Sequence, residues 1–173
     1  AIGPWTVIDD TYNASPASCR AACRTLAEWP AHRRWLVLGD MLEMGARTAA
    51  WHERLGRDAA AAGFDYLLVC GEQAGQVAAG ARRAGLPPDR VIVRPGCSEL
   101  VPVLVDRLEP GDVVLVKGSR AMRMERVIHA LREHADGTSL KGRQSRKPSD
   151  PIRTAPFEEG DKVPLLATDL RGS

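Results

Sequence analysis

The chain has 173 residues, 44% hydrophobic and 27% charged, and its 24 basic and 22 acidic side chains leave a formal net charge of +2. That near-balance argues against a nucleic-acid groove, and 5% aromatic content argues against a stacking platform for bases. No apolar run approaches the roughly 20 residues that cross a bilayer, and the opening A-I-G-P-W lacks the basic and apolar regions of a signal peptide. The length suits one domain with a sizeable core.

In chain order, the first apolar run is T-V-I-D (Thr6 to Asp9), and it is followed by Ser15-Pro16, an N-cap with proline at the first helical position. Cys19, Ala22, Cys23 and Leu26 then recur at helical spacing. A second run, R-W-L-V-L-G (Arg34 to Gly39), leads to a helix opened by Thr48 and stopped at Gly63. A third, Y-L-L-V-C (Tyr66 to Cys70), leads to a helix stopped at Gly85. The fourth, R-V-I-V (Arg90 to Val93), precedes a helix that Ser98 is expected to cap, with Pro102 near its first turn and Pro110-Gly111 at its end. The fifth, V-V-L-V-K (Val113 to Lys117), precedes a helix carrying Met124, Val127, Ile128 and Leu131 on one face. Short, continuously apolar strands are buried on both faces, the mark of a parallel sheet. Five strand-then-helix units therefore predict a doubly wound, Rossmann-like α/β fold with a mainly parallel sheet of five or six strands.

Beyond Glu133 the pattern dissolves into a polar stretch interrupted by four prolines between Asp136 and Pro164. The folded domain is accordingly placed at residues 1–134, and residues 135–173 are expected to form a disordered or loosely docked tail. The four cysteines read as reduced: Cys19 and Cys23 sit one helical turn apart, while Cys70 and Cys97 follow apolar runs. None of the four histidines completes a metal-ligand spacing with them, so no metal site is expected. His52 lies on the stripe His52, Leu55, Gly56, Ala59 and reads as a satisfied histidine on a packed helix face.

In an open parallel sheet, ligands bind beyond the carboxyl ends of the strands. Three polar clusters fall there. D-D-T-Y-N-A-S-P (Asp9 to Pro16) has carboxylates suited to ribose hydroxyls, an ammonium group or a magnesium ion, and an asparagine able to read a base edge. It is equally explained by Asp9 and Asp10 capping loop amides and Asn13 making an Asx turn. G-D-M-L-E-M-G (Gly39 to Gly45) is not a phosphate loop, because five residues separate its glycines and Ala46-Arg47 follow. Its Asp40 and Glu43 suit an amine or a helix end. K-G-S-R (Lys117 to Arg120) reads as an anion site: Lys117 leaves the strand, Gly118 permits an unusual backbone angle, Ser119 can cap a helix, and Arg120 offers a forked donor pair to a carboxylate.

Together, D-D-T-Y-N-A-S-P, G-D-M-L-E-M-G and L-V-K-G-S-R, with H-x-x-x-G (His52 to Gly56) between them, resemble the C-terminal domain of the Mur ligase family, in its branch that adds D-alanyl-D-alanine to a UDP-N-acetylmuramoyl-tripeptide. The resemblance covers about Val7 to Arg132. It implies part of a three-domain cytoplasmic enzyme of bacterial peptidoglycan synthesis that uses ATP and Mg2+ to form an acyl phosphate, which the dipeptide amine then attacks. Carried to this chain, Asp10, Tyr12 and Asn13 are expected beside the nucleotide. Lys117, Gly118, Ser119 and Arg120 are expected near the incoming dipeptide, with Asp40 and Glu43 also among the substrate-binding residues.

The family usually has asparagine where this chain has Ser15, though serine keeps the helix-capping role. The nucleotide-sugar domain and the central ATPase domain with its phosphate loop have no counterpart in the sequence, so the 173-residue chain alone is expected to be inactive. Two other readings are a stand-alone binding module and a phospho-receiver domain. The receiver would need an aspartate after the third strand, which instead ends in Cys70-Gly71.

Overall fold

Ser15 shows how the chain sets its own boundaries. Its Oγ accepts from the Ser18 amide at 3.2 Å while its own N–H donates to Ser18 Oγ at 3.0 Å, a reciprocal capping box that starts a helix with Pro16 in its first turn. In the computed structural model, which describes residues 1–144 with side chains to residue 137, five such strand-and-helix units follow one another. They are β1 (Thr6–Asp10), α1 (Pro16–Glu28), β2 (Arg34–Leu38), α2 (Thr48–Ala61), β3 (Tyr66–Cys70), α3 (Ala74–Arg83), β4 (Val91–Arg94), α4 (Val101–Arg107), β5 (Val113–Lys117) and α5 (Glu125–Gln144).

The sheet order is β1-β5-β2-β3-β4, and every pairing is parallel. Strand side chains alternate between two apolar layers, as the two-residue period of a strand requires. Leu36, Leu38, Leu67, Val69, Val113 and Leu115 face α1, α2 and α3. Trp35, Val37, Leu68, Cys70, Val114 and Val116 face α4 and α5. The expected doubly wound α/β sheet is thus present with five strands.

Three local readings need correction. Ser98 does not cap α4: it lies inside a 3-10 turn, Cys97–Leu100, and Leu100 occupies the cap position without a side-chain hydrogen bond. Thr48 opens α2 as expected, directly after a 3-10 turn, Gly45–Arg47, and its hydroxyl donates to the Gly45 carbonyl at 2.6 Å. The last helix also passes the expected boundary at residue 134 by ten residues, with Ala135 packed beside Gly3. The remainder of the expected tail, residues 145–173, lies outside the described residues. The stops at Gly63 and Gly85 are as expected, directly after the caps Ala62 and Ala84 with φ of 75° and 99°, whereas α4 ends earlier, at Arg107 with an extended Leu108 as its cap, and Gly111 (φ 88°) lies in the turn before β5.

Helices α2 and α3 meet backbone to backbone. A methyl group on Gly56 would lie 1.9 Å from the Val77 carbonyl oxygen, and one on Gly80 the same distance from that of Glu53. At the opposite end of the sheet from the polar loops, Asp112 is fully buried and accepts from Arg33 Nη2 at 2.7 Å, Trp35 Nε1 at 2.9 Å and the Glu109 amide at 2.9 Å. All four cysteines are free, and burial pushes the thiols of Cys19, Cys23 and Cys70 up to about 11, 12 and 12.

Candidate functional site

β5 lies between β1 and β2, yet the helix that follows it covers one face while those following β1 and β2 cover the other. The chain therefore parts at the carboxyl ends of these three strands and leaves a crevice, the position where open α/β sheets take ligands. Register puts Asp10 opposite Lys117 and Lys117 opposite Leu38, so the three polar clusters leave the sheet side by side. Tyr12, Asn13, Leu42, Glu43, Ser119, Arg120 and Ala121 line a cleft of about 580 Å³ there.

Lys117 is not free to meet a ligand from this cleft. Its side chain is 1% exposed, and Nζ donates to Asp10 Oδ2 and to the Asn13 carbonyl, each at 2.8 Å. A buried ammonium needs such partners, and here they tie β5 to the loop after β1. Asp10 keeps its other carboxylate oxygen on a side chain that is 41% exposed. Asp9 takes the capping role: Oδ1 accepts from the Thr11 hydroxyl at 2.7 Å and its amide at 3.2 Å. Asn13 Oδ1 accepts from the Ala14 amide at 2.8 Å, which leaves its NH2 group for other partners.

Asp40 is buried, and its carboxylate accepts from the Glu72 amide at 2.8 Å and the Gln73 amide at 3.2 Å at the start of α3. Burial raises its pKa, while the two amides act in the opposite sense. It is the helix-end partner anticipated for this loop and does not line the cleft with Glu43. It borders instead a second cleft of about 480 Å³ with Leu42, Gly71, Glu72, Pro95 and Met122.

The expected roles of Gly118 and Ser119 also change. Gly118 is not among the described residues with positive φ. A methyl group there would stand 2.6 Å from Met124 Cγ and 3.3 Å from Gly39 Cα, so its use is close approach between the ends of β5 and β2. Ser119 precedes only a 3-10 turn, Arg120–Met122, and its Oγ accepts from the Leu42 amide at 2.9 Å. Arg120 is exposed, with its guanidinium carbon 5.7 Å from the centre of the Tyr12 ring, itself 77% exposed. The first and third clusters thus meet across the cleft through an aromatic ring and a cation.

Leu42 escaped the sequence reading. It is 41% exposed and borders both clefts, but a single leucine in a polar loop carries no periodic signal. His52 was read correctly as satisfied, although its partners were not foreseeable. It is fully buried, Nε2 accepts from the Met41 amide at 2.9 Å, and Nδ1 lies 2.7 Å from the Thr48 carbonyl.

A five-stranded parallel sheet, helices on both faces and a polar cleft at the switch point define a Rossmann-like domain. The comparisons are narrower: residues 1–120 match the family model described as Mur ligase, glutamate ligase domain, and the chain belongs to that family. It is similar to UDP-N-acetylmuramoyl-tripeptide--D-alanyl-D-alanine ligase of Escherichia coli (strain K12), 38% identical over 130 residues covering 74% of this chain and 27% of that protein. Among solved structures it resembles MurF from Acinetobacter baumannii, with TM-score 0.69 and 32% identity over 77% of this chain and 29% of that one. It also resembles MurF ligase from Thermotoga maritima, solved in complex with ADP, with TM-score 0.67 and 27% identity over 80% and 30%. The chain thus spans less than a third of the length of these relatives, corresponding to their C-terminal domain.

Proposed function

We propose that this chain is the C-terminal part of an ATP-dependent, peptide-bond-forming ligase that adds D-alanyl-D-alanine to a UDP-N-acetylmuramoyl-tripeptide in the cytoplasm. One observation carries the reading: Tyr12 and Asn13 from the first cluster and Ser119 and Arg120 from the third converge on one cleft at the switch point. An exposed ring and a free amide suit a nucleoside, and an exposed guanidinium suits a carboxylate. The residues fit only part of a nucleotide. The sequence has no glycine-rich phosphate loop, and no group of three or more His, Cys, Asp or Glu able to hold a metal occurs among the described residues. The triphosphate and Mg2+ therefore belong to a preceding domain of the complete enzyme, and domain closure would bring the cleft onto them.

In this division of labour Asp10, Tyr12 and Asn13 face the nucleotide and Arg120 faces the dipeptide carboxylate. Glu43 lines the same cleft and is assigned to the dipeptide side. Lys117, Gly118 and Asp40 shape the loops from behind, and Ser119 lines the cleft while its Oγ holds the Leu42 amide. The test uses a complete ligase carrying this chain as its C-terminal part. Asn13→Ala is expected to raise the KM for ATP about tenfold more than that for D-alanyl-D-alanine, and Arg120→Ala to reverse the order. Equal effects on both substrates would overturn the assignment, and ATP-dependent ligation by the 173-residue chain alone would overturn the need for further domains.

The receiver reading fails on its own chemistry, since β3 ends at Cys70 and no carboxylate follows at Gly71. No helix among the described residues is long and apolar enough to cross a membrane.

A further inference from the structure

The loop from Asp40 to Glu43, whose Leu42 and Glu43 line the cleft, is held at three consecutive residues by three different parts of the fold. The Asp40 carboxylate accepts the first amides before α3, the Met41 amide donates to His52 of α2, and the Leu42 amide donates to Ser119 after β5. The next residue, Glu43, has φ of 62°, a left-handed conformation that a non-glycine residue keeps only when its surroundings impose it.

Of these anchors, His52 depends on its proton placement. A backbone amide can only donate and a carbonyl can only accept. Nε2 facing the Met41 amide must therefore be bare, and Nδ1 facing the Thr48 carbonyl must carry the hydrogen. One neutral tautomer satisfies both. Imidazolium would turn Nε2 into a donor aimed at another donor.

The geometry points to His52 as a positioning residue that, through its bare Nε2 and the Met41 amide, fixes the loop presenting Leu42 and Glu43 to the cleft. Its place behind the working cleft rests on the function proposed above. The hydrogen-bond chemistry does not, and the test reads loop geometry without catalysis, so either can fail alone.

The two amide substitutions separate this role from packing. Glutamine carries a polar atom to the place of Nε2, whereas asparagine reaches only the place of Nδ1. In the 173-residue chain, His52→Asn is expected to speed hydrogen exchange at Met41 and Leu42 by about tenfold or more, and His52→Gln to stay within about threefold of the parent. Amides of β3 and β4 should keep their parent rates in both. Equal rates in the two variants, or a change spread through β3 and β4, would overturn the proposal. Should a variant not fold, nitrogen-15 spectra of the parent imidazole serve instead. Protonated Nδ1 with bare Nε2 at neutral pH supports the role, and the opposite tautomer or imidazolium overturns it.

Discussion

At the scale of single residues, this protein places charge where backbone groups or counter-charges receive it. Lys117, the last residue of β5, and Asp40, two residues past β2, were both legible as polar residues in strand-end clusters, and both turn inward, because a buried charged group must be paired where it stands. Asp112 follows the same rule at the far end of the sheet. Burial alone would raise its pKa, but the bond from Arg33, then the Glu109 amide and Trp35, hold it below the ordinary carboxylate value. A depressed folded value means that the stabilisation is complete above about pH 4 and is lost as pH falls through the folded pKa. Asp112→Asn should therefore cost about 3 kcal/mol at pH 7. The gap between parent and variant should narrow on acidification below about pH 4 in urea titrations. A gap independent of pH would sink this account.

Among elements, the α2–α3 contact is the most demanding, since two glycines let the helix backbones touch. Gly56→Ala should force the pair apart and cost about 3 kcal/mol or more. Gly75, on the same α3, has open space around its Cα. Gly75→Ala should instead stabilise by about 0.5 kcal/mol through the unfolded state. Thermal melts of the two variants that shift equally would contradict this. The strands, the helix starts at Pro16 and Thr48 and the stops at Gly63 and Gly85 were readable because each is a local rule of pattern or backbone angle. Ser98 misled because a serine near a proline looks like a cap whether the next turn is α or 3-10, and only the hydrogen bonds distinguish them. The loss of pattern beyond Glu133 suggested an end to the folded part, yet α5 runs on to Gln144 from earlier turns that Val127, Ile128 and Leu131 dock on the sheet.

For the whole molecule, the two apolar layers leave the thiols unequally placed. Cys19, Cys23 and Cys70 are buried with raised pKa values, and Cys97 is partly exposed. A thiol reagent at pH 8 should label Cys97 alone in the native chain and all four cysteines in denaturant. Native labelling of Cys19 or Cys23 would show that α1 is not seated on the sheet as described. The same layering creates the crevice, because the helix after β5 departs to one face while those after its neighbours β1 and β2 depart to the other.

Sequence alone determined the strand-and-helix alternation, the three polar clusters and their family resemblance, because apolar periodicity, capping residues and motifs are written in neighbouring positions. Only the tertiary structure decided that β5 would lie between β1 and β2, and hence that Asp10 would meet Lys117 across 107 residues of chain. It likewise decided that Tyr12 and Arg120 would face the cleft while Lys117 and Asp40 turned away from it. The physical reason is that a residue type sets what a side chain can bond, whereas its bonding partner depends on which strands become neighbours, a long-range outcome of burying both faces of the sheet at once.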